Sequence, residues 1–498
     1  MNAPSHPAQP SFTLERQRQV VDALNRLLPE GCVLFNEEDT RPYECDGLSA
    51  YRQLPMVVVL PQTEAQVVEV LKTCRALQAP IVPRGAGTGL SGGAMPIADG
   101  VVLSTAKLNK ILKVDAYSRT AVVQPGVRNL AISEAANPHG LYYAPDPSSQ
   151  IACTIGGNVA ENSGGVHCLK YGLTVHNVLR VRMVTIEGEI VELGGGALDA
   201  PGLDLLAVFI GSEGMLGVVT EVTVRLVPKP QVARVIMASF DDVVKGGDAV
   251  AEVIAAGIIP AGLEMMDKTS SRMVEPFVKA GYDTEAEAIL LCESDGIPEE
   301  VEEEIARMSE VLKASGATAI AVSQNEAERL KFWSGRKNAF PAAGRISPDY
   351  YCMDGTIPRK RLAEVLIRIT EMEGKHGLRC ANVFHAGDGN LHPLILFDAN
   401  QPGEFERAEA FGADILELCV QVGGTITGEH GVGIEKINSM CVQFSPQELE
   451  AFFAVKRAFD TAFLLNPDKA IPTLHRCAEG GKMRVSAGLS KFADLPRF

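Results

Sequence analysis

The sequence predicts an α+β protein, and three observations support that prediction. Strand and helix signals alternate along most of the 498 residues, and the segment Val227-Pro228-Lys229-Pro230 interrupts the alternation near the middle, as a domain boundary would. The composition, with 46% hydrophobic and 22% charged residues, is that of a globular protein and excludes a disordered or fibrous chain. The length suggests about three domains and is sufficient for folding without disulfides or a structural metal.

The charge balance and the cysteines restrict the function. Lys and Arg number 46 against 62 Asp and Glu, so the net charge of −16 argues against nucleic acid or an anionic membrane as the main partner. The first ten residues lack the features of a signal peptide, and no apolar run reaches the ~18 residues of a membrane span, so we expect a cytoplasmic protein. The 11 cysteines lack metal-type spacing, and we expect buried thiols that form neither disulfides nor iron–sulfur ligands.

In the first half of the chain, short apolar runs alternate with turns and with two helices. Residues 1–12 are expected to be a tail, and a helix is predicted near residues 14–28. Residues 63–66 form a capping-box pattern that starts a second helix between two strand signals, as in a βαβ unit. Strands are predicted at residues 56–60, 80–84, 101–103, 120–124, 178–184 and 218–226.

The second half of the chain alternates strands with long amphipathic helices. Strands are predicted at residues 234–240, 262–266, 288–292, 350–354, 380–385 and 391–397. Helices are predicted at residues 299–312, 326–340, 359–376 and 405–422.

Three glycine-rich stretches lie in the first half, at residues 84–93, 154–165 and 211–217. Glycine allows positive φ and lets successive backbone N–H groups approach one anion. Any one stretch could be an ordinary tight turn, but three in one domain indicate a phosphate-binding site. Residues 87–92 match GxGxxG, yet the chain continues into Gly92-Gly93-Ala94-Met95-Pro96, which resists a helix, so a nicotinamide-binding Rossmann turn is not predicted.

These stretches, together with Pro145-Asp146-Pro147-Ser148-Ser149, resemble the flavin-binding motifs of the vanillyl-alcohol-oxidase-type FAD proteins. Within that family the chain is similar to the branch that oxidises D-2-hydroxy acids, from about residue 20 to the C-terminus and including residues 473–479. The resemblance implies an α+β fold in which a two-subdomain FAD-binding domain carries an antiparallel-sheet cap domain. The implied organisation is an N-terminal tail with helices at residues 1–49, the FAD-binding domain at 50–230, the cap or substrate domain at 231–440, and a C-terminal segment at 441–498 that returns to the FAD-binding domain.

The resemblance also implies non-covalent FAD, because the first glycine loop has no histidine to which a flavin could be bonded. This loop would hold the pyrophosphate through backbone N–H groups. Residues between 145 and 165 would line the ribityl chain and isoalloxazine, and residues between 213 and 218 would hold the adenosine side. The implied cofactor-binding residues are Arg84, Gly85, Ala86, Gly87, Thr88, Gly89, Leu90, Ser91, Pro145, Asp146, Pro147, Ser148, Thr154, Gly156, Gly157, Asn158, Asn162, Gly164, Gly165, Glu213, Gly217, Val218 and Asn466.

Two histidines flank Asp388-Gly389, a dipeptide typical of a two-residue type I′ turn. With that turn, His385 pairs directly with His392, and their Cβ atoms lie ~5 Å apart. Glu429 adds a carboxylate, and two His with one Glu are a recurrent catalytic metal set, so we predict a divalent metal (Zn, Mn or Fe) at these three residues. The alternative is a cross-strand histidine pair hydrogen-bonded to the backbone. The resemblance favours the metal, because these are the ligand positions of metal-containing relatives.

His430 and Arg336 are the predicted catalytic residues. Oxidation of a 2-hydroxy acid removes the hydroxyl proton and moves a hydride from the α-carbon to flavin N5, and the imidazole of His430 is the candidate base. A metal on the hydroxyl oxygen would lower the cost of the developing alkoxide. The resemblance aligns Arg336 with an arginine that binds the substrate carboxylate, and a surface salt bridge is its alternative role. Cys352 stands where a 2-hydroxyglutarate-specific relative has a lysine, which argues for a short monocarboxylate. Core or surface roles are expected for the histidines without a partner at ligand spacing, namely His139, His167, His176, His376 and His475.

The resemblance implies an FAD-dependent enzyme that oxidises glycolate to glyoxylate and accepts D-lactate as a further substrate. Since the chain has no iron–sulfur motif, the implied partners are the iron–sulfur and second flavin subunits of a glycolate oxidase complex, which pass the electrons to a quinone and attach the chain at the inner membrane. The alternatives are a D-lactate or D-2-hydroxyglutarate dehydrogenase, a non-catalytic flavin-binding scaffold subunit, and a nicotinamide dehydrogenase. The presence of all four residues His385, His392, Glu429 and His430 argues against the scaffold.

Overall fold

Three β-sheets, with helices packed against them, make up most of the protein. The structure is a computed structural model that describes residues 12–197 and 202–472. The predicted tail up to residue 11, the motif of residues 473–479 and His475 therefore lie outside the described residues. The strands are β1 (Val33–Leu34), β2 (Val57–Val59), β3 (Ile81–Arg84), β4 (Val101–Ser104), β5 (Ile111–Asp115), β6 (Thr120–Val123), β7 (Leu141–Tyr142), β8 (Val178–Val184), β9 (Ile190–Gly194), β10 (Val218–Arg225), β11 (Val227–Pro228), β12 (Val232–Phe240), β13 (Gly262–Asp267), β14 (Ala288–Gly296), β15 (Ala319–Val322), β16 (Asp349–Cys352), β17 (Arg379–His385) and β18 (Asn390–Phe397).

The helices lie between these strands and lengthen in the second half of the chain. They are α1 (Leu14–Asn25), α2 (Glu37–Thr40), α3 (Glu64–Ala76), α4 (Asn129–Ala136), α5 (Ile155–Glu161), α6 (Cys168–Tyr171), α7 (Thr174–Asn177), α8 (Leu205–Phe209), α9 (Val243–Ala255), α10 (Lys268–Val278), α11 (Pro298–Ala314), α12 (Glu326–Lys337), α13 (Ala339–Ile346), α14 (Leu362–His376), α15 (Glu404–Gln421), α16 (Met440–Gln443) and α17 (Pro446–Phe459).

The first sheet has four strands in the order β1-β2-β4-β3. Strands β2 and β3 both pair in parallel with β4, and α3 crosses from one to the other, so the predicted βαβ unit is confirmed. The C-terminal part of the chain returns to the outer edge of this sheet. Ile81 of β3 donates its N–H to the carbonyl of Leu464 and accepts a hydrogen bond from the N–H of Asn466, each at 2.7 Å.

A second sheet of five antiparallel strands, in the order β5-β6-β10-β8-β9, follows the first in the chain. Its central strand β10 leads directly into β11, which pairs with β7 in a short ribbon. Strand β12 of the next sheet begins at Val232, so the chain passes from one sheet to the other at the Pro-rich segment of residues 227–230.

The third sheet has seven strands in the order β15-β12-β14-β13-β17-β18-β16, and every neighbouring pair is antiparallel. The predicted antiparallel sheet in the second half of the chain is therefore confirmed. Helices cover both faces, so nearly every residue of the central strands β13, β14, β17 and β18 is buried. Residues of α9, α11, α14 and α15 pack on one face and residues of α10, α12 and α13 on the other.

The face covered by α10, α12 and α13 carries two of the predicted metal ligands, His385 and His392. Met266, Val383 and Leu394 point toward these helices. Since side chains alternate along a strand, Glu264, His385 and His392 share that face with them. Cys352 belongs to the same buried cluster.

Several elements differ from the prediction. Strands β5, β9 and β15 were not predicted, and most of their side chains are exposed or only partly buried. The predicted helix of residues 326–340 is divided at Asn338 into α12 and α13. The hydroxyl of Thr63 accepts a hydrogen bond from the N–H of Gln66, but the Gln66 side chain accepts from Gln62 N–H, so the capping box is only half formed.

Ten of the 11 cysteines lie within the described residues. Nine of them are free thiols, and all but Cys45 of these are buried. Cys441 forms a disulfide, so the expectation that no cysteine is bonded is wrong at this position. The spacing of cysteines along the chain could not reveal it, because a disulfide depends on which distant segments meet in the fold. No helix within residues 12–197 and 202–472 combines the length and the apolar character needed to cross a membrane.

Candidate active site

A cavity of about 440 Å³ lies between the glycine-rich loops and the β16–β18 side of the seven-stranded sheet. Tyr350, His392, Glu429 and His430 line it on the sheet side. The cavity therefore joins the predicted cofactor site to the predicted metal site. The predicted cofactor residues that line it are Arg84, Gly85, Ala86, Gly87, Thr88, Gly89, Leu90, Pro147, Ser148, Thr154, Gly156, Gly157, Asn158, Glu213, Gly217 and Val218.

The first glycine loop offers backbone groups to a ligand in this cavity. No backbone N–H of residues 85–90 donates a hydrogen bond to another described residue, and such groups require a partner. Gly87 has a φ of 72°, which glycine adopts without strain. The Oγ1 of Thr154 is buried and has no hydrogen-bond partner in the described part of the chain. These groups fit the phosphates of a dinucleotide such as FAD.

The other predicted cofactor residues do not line the cavity. Their polar atoms are bonded to other protein groups: the amide of Asn466 donates to the carbonyls of Gly93 and Glu213 at 2.9 and 2.6 Å. The carbonyl of Ser91 accepts hydrogen bonds from the N–H groups of residues 434 and 435. These contacts of Asn466 and Ser91 connect the glycine loops to later parts of the chain. The predicted residues absent from the lining are Ser91, Pro145, Asp146, Asn162, Gly164, Gly165 and Asn466.

Strands β17 and β18 form a hairpin whose register differs from the predicted one. His385 pairs with Asn390, and residues 386–389 form the turn, so the prediction that His385 and His392 are direct partners is wrong. Asp388 is not in the left-handed conformation that a type I′ turn requires. The register is shifted by two residues, and because side chains alternate with a period of two, both imidazoles remain on one face.

Contacts from outside the hairpin explain the wider turn. Gly387 donates its N–H to the carbonyl of Leu263 on β13, and the carbonyl of Gly389 accepts a hydrogen bond from Ile357, each at 2.9 Å. Gly389 has a φ of 82°, and a Cβ at this position would overlap the carbonyl oxygen of Ile357. Contacts with the neighbouring segments therefore determine the conformation of the turn. The turn preference of the Asp-Gly dipeptide does not determine it.

His385, His392 and Glu429 converge on one point. Glu429 Oε1 lies 3.3 Å from His385 Nε2 and 2.9 Å from His392 Nε2, and one ligand atom from each residue lies within 4.8 Å of the others. Burial alone would raise the pKa of Glu429, but the charge of His385 and the hydrogen bonds from both histidines hold it well below its usual range. A Cβ on Gly164 would lie 2.5 Å from Glu429 Oε2, so glycine leaves room for this carboxylate. Two imidazoles and a carboxylate fit a divalent cation of the Zn, Mn or Fe class.

Glu264, which the sequence analysis missed, connects His385 to Arg336. Its carboxylate lies 2.6 Å from His385 Nδ1 and 2.6 Å from Arg336 Nε, and all three side chains are buried. A carboxylate on Nδ1 leaves Nε2 of a histidine as the ligand atom. The signal in the sequence was an acidic residue within an apolar strand, which is seldom buried without a partner.

Arg336 forms this buried ion pair, so its alternative role as a surface salt bridge is wrong. Arg336 is not among the residues that line the cavity. Its Nη2 is nevertheless buried and has no hydrogen-bond partner among the residues described, so one donor of the guanidinium is available to an anion.

Asp354, which also was not predicted as a functional residue, anchors the turn that carries Glu429 and His430. Its carboxylate accepts hydrogen bonds from the N–H groups of Gly428, Glu429 and His430 at 2.9–3.3 Å. The hydroxyl of Thr427 donates to the same carboxylate. Three main-chain donors on one buried carboxylate fix the direction in which both side chains project. An acidic residue at the end of a predicted strand was the signal for it.

His430 lies against the proposed metal ligands without being hydrogen-bonded to them. Its ring stacks on that of His392, with centroids 5.0 Å apart and an interplanar angle of 1°, and its Nε2 lies 3.8 Å from Glu429 Oε1. Its Nδ1 is buried and has no partner within the described ranges. Burial lowers the pKa of His430 to about 4. The imidazole is therefore neutral at neutral pH and able to accept a proton.

His167 has partners that the sequence analysis did not foresee. Its Nδ1 lies 2.7 Å from Asp146 and its Nε2 lies 3.1 Å from Glu293, which also accepts hydrogen bonds from Arg329 and Trp333. Burial alone would lower the pKa of His167, but the charges of Asp146 and Glu293 raise it well above its usual range. These contacts join the loop after β7 to strand β14.

His376 is also paired, at 2.8 Å from Asp414, and is stacked on Phe411. The partners of His167 and His376 lie 21 to 126 residues away in the sequence, and both histidines have the structural role that was expected for them.

Solved structures with the same architecture define the class of protein. The structure of p-cresol methylhydroxylase with substrate bound matches with a TM-score of 0.77 and 19% identity, over 93% of this chain and 98% of that chain. The chain thus has the predicted fold of the vanillyl-alcohol-oxidase type, with an antiparallel sheet in its second half. At this identity the likeness establishes the fold alone.

Comparison with known families and proteins gives the particular family. Residues 55–194 match the family described as "FAD binding domain", and residues 229–470 match "FAD linked oxidases, C-terminal domain". The chain is 62% identical to the glycolate oxidase subunit GlcD of Escherichia coli K12 over 96% of both chains. It is 32% identical to the D-lactate dehydrogenase of Anaerostipes hadrus, over 91% of this chain and 97% of that protein. The chain belongs to the family of FAD-linked oxidases.

Proposed function

We propose that this protein oxidises glycolate to glyoxylate. One observation carries the proposal: a single cavity is lined both by the glycine loops suited to FAD and by His392, Glu429 and His430. The 62% identity to a glycolate oxidase subunit over 96% of the chain supports glycolate as the substrate. FAD, when bound, supplies the acceptor for the hydride that leaves the α-carbon.

The polar cluster at the cavity supplies the two functions that the protein must provide at the substrate hydroxyl. We propose that His385, His392 and Glu429 would hold a divalent metal, which when bound would supply a Lewis acid for the substrate hydroxyl. His430 then accepts the hydroxyl proton, because its imidazole is neutral and its Nδ1 is free of other hydrogen bonds to described residues. Asp354 keeps both Glu429 and His430 in this orientation through their main-chain N–H groups.

Arg336 is the proposed anchor of the substrate carboxylate. Glu264 holds its Nε, and the unpartnered Nη2 is left to bind an anion. Cys352 supports a small substrate, because a thiol at this position offers no positive charge to a second carboxylate. This argues for a monocarboxylate such as glycolate or D-lactate and against D-2-hydroxyglutarate.

We propose that the electrons of the reduced flavin pass to other proteins. The name of the E. coli relative describes a subunit, and the sequence lacks iron–sulfur spacing. We propose iron–sulfur and second flavin subunits as partners and a quinone as the final acceptor. These partners would attach an otherwise cytoplasmic chain to the inner membrane.

Anaerobic flavin reduction tests the proposed function. The FAD-loaded protein is mixed with glycolate, D-lactate or D-2-hydroxyglutarate, and the visible absorbance of the flavin is followed. We expect glycolate to bleach the flavin fastest. If D-lactate alone bleaches the flavin, the proposed substrate is D-lactate and not glycolate, in agreement with the name of the 32% identical relative. No bleaching by any of the three acids would favour a non-catalytic scaffold subunit.

A further inference from the structure

A second cluster of metal-ligating side chains overlaps the first. Cys352, His392 and His430 each offer a ligand atom, and these atoms lie within 4.8 Å of one another. Cys352 ends β16 and pairs with Leu394 of β18, so its side chain lies beside the strand that carries His392. The two clusters share His392 and differ in the other ligands, which are a thiol and an imidazole here and an imidazole and a carboxylate in the first cluster.

Two ring nitrogens of this second cluster have no hydrogen-bond partner among the described residues. His392 directs Nε2 to Glu429, and its Nδ1 is buried with no hydrogen bond to any described residue. The Nδ1 of His430 is in the same situation. Buried polar atoms are nearly always paired, so two such nitrogens on stacked rings beside a thiol indicate a site for a ligand that accepts lone pairs.

We propose that Cys352, His392 and His430 form a second, inhibitory binding site for a divalent cation of the zinc class. This inference rests on the proposed function, because it assigns His430 the role of base. A cation held there uses the lone pair with which His430 would accept the substrate proton. It also competes with the first site for His392. Zinc in excess therefore stops proton transfer while FAD stays bound.

The ligand set determines which cations the second site takes. A thiolate with two imidazoles suits Zn²⁺, whereas Mn²⁺ and Mg²⁺ prefer oxygen ligands. Binding replaces the S–H bond of Cys352 by an S–Zn bond, and the thiol proton passes to solvent. Each histidine would bind the cation through the lone pair of a ring nitrogen. The first cluster contains a carboxylate in place of the thiol, so the two sites differ in cation preference.

X-ray absorption at the zinc edge tests the site independently of catalysis. The FAD-loaded protein is titrated with Zn²⁺ beyond one equivalent. We expect sulfur at ~2.3 Å from zinc in the wild type, in addition to nitrogen at ~2.0 Å. The sulfur signal should disappear in Cys352→Ser and in Cys352→Ala. It should persist in Cys380→Ser, which removes another buried thiol on a nearby strand of the same sheet. A wild-type spectrum without sulfur, or sulfur that persists in both Cys352 variants, would overturn the proposal.

Inhibition by zinc tests the consequence for the reaction. The initial rate of flavin reduction by glycolate is measured against free Zn²⁺, with Mn²⁺ as the comparison cation. We expect half-inhibition of Cys352→Ser to require at least about tenfold more Zn²⁺ than in the wild type, the loss of roughly 1.4 kcal/mol of binding. Cys380→Ser should behave like the wild type. Equal sensitivity of Cys352→Ser and wild type would refute the inhibitory role. If no 2-hydroxy acid reduces the flavin, the proposed function fails, while the zinc–sulfur signal still tests the site.

Discussion

At the scale of single residues, His430 is held mainly through its backbone. Its N–H donates to Asp354 at 2.9 Å, and its ring contacts the rest of the site by stacking on His392. Replacing the side chain therefore removes the proposed base and leaves the turn intact.

The first prediction concerns this base. His430→Ala should retain FAD and lose flavin reduction by glycolate by roughly 10²- to 10⁴-fold, because the hydroxyl proton has no acceptor. Rapid mixing under anaerobic conditions measures the reduction rate, and the bound flavin is quantified by its absorbance. An unimpaired rate would remove His430 from the mechanism.

The second prediction concerns Arg336. Arg336→Lys keeps a positive charge beside Glu264 but cannot present the second nitrogen that Arg336 leaves unpaired. We expect KM for glycolate to rise by at least about tenfold, equivalent to roughly 1.4 kcal/mol of substrate binding. Steady-state kinetics with an artificial electron acceptor provides KM. An unchanged KM would show that the carboxylate binds elsewhere.

The third prediction concerns the metal. His392→Ala removes one of three converging ligands and should lower the metal bound per FAD, as measured by elemental analysis. His139→Ala is the matched control, because His139 is exposed and is not part of either metal-ligating cluster. A wild-type protein that contains no metal would make the histidine cluster structural.

At the scale of secondary-structure elements, the β17–β18 hairpin illustrates what the sequence could and could not predict. Its strands were predicted closely from their apolar runs, because nearly every residue in both is buried. The turn between the strands was not predicted correctly, because Leu263 and Ile357 form hydrogen bonds with its backbone from other parts of the chain. Both histidines still reached one face, because the shift in register was an even number of residues.

The fourth prediction tests the contact between Ile357 and this turn. Gly389→Ala should destabilise the protein by roughly 3 kcal/mol, because a left-handed alanine is strained and its Cβ overlaps the Ile357 carbonyl. It should also lower the bound metal. Gly377→Ala is the control: Gly377 has a φ of 64°, but an added Cβ would meet no atom of the described residues within 4 Å, so it should lose only about 1 kcal/mol. Urea unfolding measures both, and equal losses would contradict the prediction.

At the scale of the whole molecule, the residues that sequence analysis missed are those whose partners lie far away in the chain. Glu264 lies 121 residues from His385, and Asp354 lies 76 residues from His430. Glycine loops and apolar strands are local patterns and were predictable. An acidic residue within an apolar strand can be recognised in the sequence. Its partner cannot, because the partner is brought close only when the sheet and the loops pack together.

The fifth prediction concerns pH. Asp146 and Glu293 raise the pKa of His167 above its usual value near 6.5, so these ion pairs contribute fully to stability below that pH. The contribution is lost as the pH rises through the raised pKa of the folded state. We expect the unfolding free energy of wild type to fall more than that of His167→Gln between about pH 6 and pH 10. His139→Gln, a change at an exposed site, should follow the wild type. Parallel pH profiles for wild type and His167→Gln in urea titrations would refute the prediction.

The return of residues 464–466 to the edge of β3 bears on how this protein can be divided for study. A fragment that stops at residue 230 would leave the main-chain N–H and C=O groups of Ile81 unpaired on an apolar edge strand. An unpaired edge strand can pair with strands of other molecules and cause aggregation. It would also lack the Asn466 amide that connects the carbonyls of Gly93 and Glu213. A soluble dinucleotide-binding half therefore requires a graft of the tail piece, for instance by circular permutation, and simple truncation would yield aggregates.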